Sequence, residues 1–220
     1  MHLIKEIAQL KKRLLSLGAE VEESVILALK ALRNRDTELA QAVLDNDEHI
    51  DRVEVEVEEE CLKILALHQP VAIDLRFIIA ILKMNNDLER IGDLAVNISQ
   101  RAAYLAGKDI FEYPPHLFEI ADRAKEMLSQ GLDSLINLNL REAHQVCRDD
   151  DEVDRLHREI YVYINEMMQE HPEHIKKLIQ ILEISHHLER IADLATNLAE
   201  DVIYMIEGKI IRHHGEGFDD

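Results

Sequence analysis

The chain has 220 residues, of which 47% are apolar, 31% charged and only 4% aromatic, with no Trp, seven Gly and four Pro. Turn-rich β architectures use more Gly, Pro and aromatic side chains than this, so composition points to helices. Lys and Arg total 25 against 44 Asp and Glu, a net charge of −19, and such a polyanion repels phosphate backbones and anionic lipid, which argues against nucleic-acid binding and direct membrane binding.

Leu3, Ile7, Leu10, Leu14, Leu17, Val21, Ser24, Ala28 and Ala31 follow a 4-then-3 spacing that only a helix places on one side. A first helix of roughly 30 residues is predicted. Glu6, Lys11, Lys12 and Arg13 interrupt the stretch where a signal peptide would carry its apolar segment. The longest apolar run, Phe77 to Leu82, falls far short of the roughly 20 residues of a bilayer span. A cytoplasmic location is the expectation.

Asp36 is placed to cap a second helix. Inside it, Glu54, Val55, Glu56, Val57 and Glu58 alternate like a strand, yet Ile50, Val53, Val57, Cys61 and Ile64 keep helical spacing on both sides. Pro70 suits the first turn of a third helix, which Gly107 is expected to cap at its C-terminal end. A proline-containing linker over 109–115 follows, and then the programme restarts: a helix from about Leu117 to Asn137, a break near Asn139, a helix from Arg141 to Glu170, Pro172, and a last helix ending near Gly208. Residues 1–108 and 109–220 are thus expected to form two domains. The fold class is all-α, six helices in two pseudo-repeated three-helix bundles, the second with a short polar tail.

The duplication is visible residue by residue. Asn86 to Asn97 lies 100 positions before His186 to Asn197, with eight of twelve positions identical. Asp47 to Arg52 lies 103 before Asp150 to Arg155, and Pro70 lies 102 before Pro172. Four acid pairs at spacing i,i+4 recur at equivalent places: Asp47/Asp51, Glu89/Asp93, Asp150/Asp154 and Glu189/Asp193. Residues four apart share a helix face, so each pair repels itself unless a cation intervenes. Asn97, Asn197 and Asp201 extend the third-helix rows. Oxygen donors without thiolate suit Mg²⁺, Mn²⁺ or iron better than zinc or copper. The competing reading is a solvated acidic face, with Arg90, Arg190 and Arg158 available as partners.

Gln69-Pro-Val-Ala-Ile-Asp-Leu-Arg76, Asp87-Leu-Glu-Arg-Ile-Gly-Asp93, Leu188-Glu-Arg-Ile-Ala-Asp193 and Thr196-Asn-Leu-Ala-Glu-Asp-Val-Ile-Tyr204 occur in this order. With these motifs the chain, over about residues 3 to 212, resembles the PhoU family of bacterial phosphate-uptake regulators. The resemblance implies a cytoplasmic, usually dimeric protein of two three-helix bundles that represses phosphate-starvation signalling. It further implies partners in the phosphate ABC transporter ATPase and a sensor histidine kinase, with the membrane reached only through them. The family's E/D-x-x-x-D motifs bind metal, including multinuclear iron clusters in some members, and they map onto the four acid pairs above. Divalent or ferric ions (Fe, Mn, Mg or Zn) are the implied cofactors.

Asp74 and Arg76 are read either as a helix start or as exposed polar contacts of a partner-binding corner. Cys61 and Cys147 have no CxxC or CxxH spacing and read as small core residues. Glu183-x-x-His186 has the spacing of a ferritin-like di-iron motif, but Lys83 and Asn86 stand at the equivalent places in the first half. His213 and His214 read as solvated surface. No catalytic residue is expected, since no HExxH, glycine-rich phosphate loop or nucleophile motif occurs. The alternative class is a carboxylate-bridged, iron-storing or redox-active helical bundle.

Overall fold

The computed structural model describes residues 2–108 and 112–208. Six helices, α1 (His2–Asn34), α2 (Thr37–His68), α3 (Ala72–Ala106), α4 (Leu117–Asn137), α5 (Leu140–Glu170) and α6 (Ile175–Glu207), follow in order, with one 3₁₀ turn at Pro172–His174. No strand occurs among the described residues. The alternating stretch at 54–58 lies inside α2, where Val57 is fully buried and Val55 is 49% exposed. A strand would have put both valines on one face; the helix separates them by about 200°.

Helices α1, α2 and α3 pack on one another, as do α4, α5 and α6. Helices α3 and α6 then pack along each other as extensively as helices do within a bundle, and α1 touches α4. The apolar faces close into a single core that runs through both halves, with Leu14, Ile50, Leu88 and Ile91 in the first and Val153, Leu188 and Ile191 in the second all sealed from solvent. Gly131 permits the close approach of α4 to α6, where a Cβ would stand 3.4 Å from the Ala195 carbonyl. At α2–α3, Gly92 lies against Ile50, 3.4 Å from where its Cβ would be. The repeat-equivalent residues are Ala192 and Val153, so a methyl group gained on one helix is lost from the other and the packed volume is kept.

The first turn of each half is built alike. Arg35 (φ 54°) ends α1 and Leu138 (φ 49°) ends α4, both in the left-handed region. The next residues are N-caps: the Asp36 carboxylate accepts from the Glu38 and Leu39 N–H groups, and the Asn139 side chain from those of Arg141 and Glu142. The Asp36 and Asn139 N–H groups turn back to the Ala31 and Ser134 carbonyls, both at 3.0 Å. A non-glycine residue in this conformation costs about 1 kcal/mol. Leu138, 47% exposed, therefore gives up little packing, and Leu138→Gly is expected to raise unfolding free energy by about 0.5 kcal/mol in urea titration.

The second turns differ. Pro70 does not enter the first turn of α3, because Val71 is extended (φ −127°, ψ 160°) and is the N-cap. Gln69 (φ 45°) and Ala72 (φ 51°) on either side are left-handed. Pro172, by contrast, starts the 3₁₀ turn. Gly107 caps α3 as expected, but at φ −81° it does not use glycine's left-handed freedom. Of the linker, residues 109–111 lie outside the described residues. Beyond them the Tyr113 hydroxyl donates to the Leu32 carbonyl at 3.2 Å, pinning the second half's entry to the end of α1.

Candidate metal-binding carboxylate clusters

The α2–α3 seam brings Asp47, Asp51, Glu89 and Asp93 into one electrostatic group. Partial burial raises Asp47, Glu89 and Asp93 above the ordinary carboxylate range, and mutual repulsion adds to it. Asp47 is pushed up by Asp51 and Asp93, and Glu89 by Asp93, Asp51 and Glu54. Asp47 Oδ1 is buried without a hydrogen-bond partner. Arg90 reaches Asp87, at 3.9 Å, rather than Asp93. Glu54 joins the rim, where Asn85 Nδ2 donates to its carboxylate at 2.8 Å and to its main-chain carbonyl at 2.9 Å.

The α5–α6 seam repeats the arrangement with Asp150, Asp154, Glu189 and Asp193. Burial first, then the other three carboxylates and Asp151, raises Asp150 to about 6. Asp193 also reaches about 6, through burial and then Glu189 and Asp154, against the opposing effect of Arg190 and His186. Glu189 is raised too, by burial, with His186 as its main counterweight. One arginine is engaged as the spacing allowed, Arg158 lying 3.7 Å from Asp154.

The two seams differ in chemistry at their rims. Where the first half has Glu54 and Asn85, the second has His157 and Ser185, hydrogen-bonded at 2.8 Å. His157 stacks 5.9 Å from His186, whose Nδ1 lies 3.3 Å from Glu189 Oε2. Burial and the neighbouring His186 hold His157 below its ordinary pKa, so its ring favours the neutral, ligand-competent form. Carrying the 103- and 100-residue offsets through every polar position would have found Glu54 and His157 together.

The donors therefore suit hard cations in the first seam, and oxygen with imidazole nitrogen in the second. Among the described residues no three His, Cys, Asp or Glu side chains stand in a ready-made ligand arrangement.

Other predicted positions fall elsewhere. Asp201 is buried and its Oδ1 meets Lys83 Nζ at 3.0 Å between α6 and α3, so it serves a helix–helix ion pair instead of the acid row. Asn97 is half-buried, its main-chain carbonyl accepting from Arg101 at 3.0 Å, and Asn197 is exposed. Asp74 and Arg76 are half-buried, not exposed. The Arg76 guanidinium occupies the space where a Cβ on Gly208 would stand, which ties the start of α3 to the end of α6. Glu183 pairs with Arg101 at 3.1 Å and His186 with Glu189, so the ferritin-like spacing does not converge on one point. Cys61 and Cys147 are free, and burial pushes both thiols up to about 12. His213 and His214 lie outside the described residues. No described helix is long and apolar enough to cross a membrane.

Comparison with known proteins supplies the family. A family model described as the PhoU domain matches twice, over residues 14–102 and 117–202. A protein of Aquifex aeolicus named phosphate-specific transport system accessory protein PhoU homolog is 36% identical over 213 residues, covering 97% of this chain and 96% of its own. One of Clostridium acetobutylicum with the same name is 33% identical over 205 residues, covering 93% and 94%. The crystal structure of PhoU from Pseudomonas aeruginosa superposes with a TM-score of 0.89 at 36% identity, covering 93% of this chain and 99% of that one.

Proposed function

This chain belongs to the PhoU family, and from that premise we propose that it is a non-enzymatic, cytoplasmic regulator of phosphate uptake and phosphate-starvation signalling. The names of its relatives, accessory proteins of the phosphate-specific transport system, support this reading. The protein acts as a homodimeric adaptor between the phosphate ABC transporter ATPase and a sensor histidine kinase. It touches the membrane only through those partners.

Divalent or ferric ions bind at Asp47, Asp51, Glu89 and Asp93 in one half and at Asp150, Asp154, Glu189 and Asp193 in the other. The observation that carries this is the pair of repeat-related seams in which carboxylates raise one another's pKa. A bound cation adds positive charge beyond what Arg90, Arg158 and Arg190 bring to the seam edges and ties α2 to α3 and α5 to α6. The helix surfaces presented to partners are thereby fixed. His157 and His186 extend the second seam's acceptance toward zinc and iron.

Elemental analysis of untagged protein purified without chelator tests the metal sites. Iron, manganese, magnesium or zinc is expected in the parent and absent from the variant carrying Glu89→Ala, Asp93→Ala, Glu189→Ala and Asp193→Ala. Equal metal content in both proteins would overturn the site assignment. A phosphate-repressed reporter in a strain lacking the protein tests regulation separately, with derepression in phosphate-rich medium expected and unchanged repression refuting it.

A further inference from the structure

Two ion pairs join α3 to α6: Lys83 Nζ to Asp201 Oδ1 at 3.0 Å, and Arg101 Nη2 to Glu183 Oε2 at 3.1 Å. Positions 83 and 101 are 18 apart, as are 183 and 201, and 18 residues make about five full turns. Each helix therefore presents both of its charges on one face. The partners meet in reverse order, so the helices run antiparallel, and Arg76 against Gly208 continues the same register. The internal repeat, offset by 100 here, maps position 83 onto 183 and 101 onto 201. The two pairs are consequently mates under the pseudo-two-fold relation between the halves, with their signs exchanged. Both cations belong to α3 and both anions to α6.

These are not loose surface contacts. Each pair has one well-covered member, Asp201 at 10% and Arg101 at 20% side-chain exposure, against Lys83 at 34% and Glu183 at 46%. Lys83 Nζ also lies 5.1 Å from the centre of the Tyr204 ring, and Arg101 Nη1 donates to the Asn97 carbonyl. Between the charges one apolar position is the same in both halves, Leu94 and Leu194 standing at equivalent places, 6% and 7% exposed.

We propose that the α3 face is a charge-coded recognition surface whose matched partner is the α6 face of the same chain's other half, and that the code excludes pairing of like halves. Two first halves brought together by the same two-fold operation would set Lys83 against Arg101. Two second halves would set Glu183 against Asp201. A like-charge contact with one member covered by the seam costs more than an exposed ion pair gains. The apolar seam holds the halves together, and the four charges decide which halves they are. The proposal does not depend on the metal reading or on the regulatory role.

Four forms of the full-length chain test it: the parent, K83E/R101E, E183K/D201K, and the quadruple variant with all four reversals. The two double variants reproduce within one chain the charge arrangement of two like halves. Each is expected to lower the melting temperature by about 5–10 °C and to speed amide exchange along the buried faces of α3 and α6 by about tenfold or more. The quadruple variant, matched again with reversed polarity, should recover most of both losses. Salt gives an independent sign. Raising ionic strength from about 0.05 to about 0.5 M should stabilise the mismatched variants and leave the matched ones unchanged or weaker. The proposal is overturned if the quadruple variant is no better than the sum of the two doubles, or if the mismatched chains exchange at parental rates along α3 and α6.

Discussion

Asp150→Asn combined with Asp193→Asn is expected to stabilise the metal-free protein at pH about 7 and to lose that advantage as the pH falls to about 4, because these two acids withdraw stability as they ionise. Asp150 and Asp193 titrate near 6 in the folded chain against an ordinary 3.8. Between those values these two acids hold protons in the folded state that they have lost in the unfolded one, so their share of the unfolding free energy falls as pH climbs through that window, while His187, held down to about 4 by burial, contributes with the opposite sign. Below it the acids are protonated in both states and the folded protein keeps the full benefit. The double substitution removes both of these charges. At pH about 7, in chelator, the double variant should be more stable than the parent by about 2 kcal/mol, a figure reduced for the exposure of Asp193 and for the coupling between the two acids. Without these acids the opposite trend set by buried His187 should show more clearly between about pH 4 and 7. Urea titrations at several pH values decide the matter, and a variant whose advantage over the parent does not grow across this window would refute the reading of the second seam.

Adding the cognate ion is expected to reverse the loss. At a free concentration a hundredfold above Kd, each occupied site adds about 2.7 kcal/mol, or roughly 5–10 °C in melting temperature for a chain of this size. Glu89→Ala with Asp93→Ala should delete the first seam's share and leave the second seam's intact. The same substitutions also relieve repulsion, so the variant should melt no lower than the parent in chelator yet lower than the parent in metal. That crossing separates loss of a site from damage to the fold. An undiminished gain on adding metal would remove Glu89 and Asp93 from the site.

The fold was legible because its signals are long. Core spacing repeats over some 30 residues per helix, and the 100- and 103-residue offsets link the halves twice over. Helix α2 was recoverable despite the alternation at 54–58 because residues on both sides voted for the helical period. What failed was local and depended on the third dimension. Pro70 was assigned to a helical turn that Val71, extended, does not allow. Asp201 was read as the end of an acid row, since sequence shows its own helix but not Lys83 arriving from α3. Arg76 looked like a free corner residue until the end of α6 came down on it. The acid pairs were found because i,i+4 spacing is a property of one helix. Glu54 and His157 were missed because they matter only across a seam.

The continuous core has a consequence for how the two seams would be read by their surroundings. Since both halves bury their apolar faces in one body, the chain should unfold in a single transition, and an ion in either seam opposes that one event. Contributions to its resistance then add as the logarithms of 1 + [M]/Kd for the two seams. Two seams each filled at a tenfold excess over Kd protect by about 2.8 kcal/mol, as much as one seam at a hundredfold excess. Survival against a protease that cuts only the opened chain would thus report the combined filling of both halves, and modest supply to both would count for as much as abundance at one.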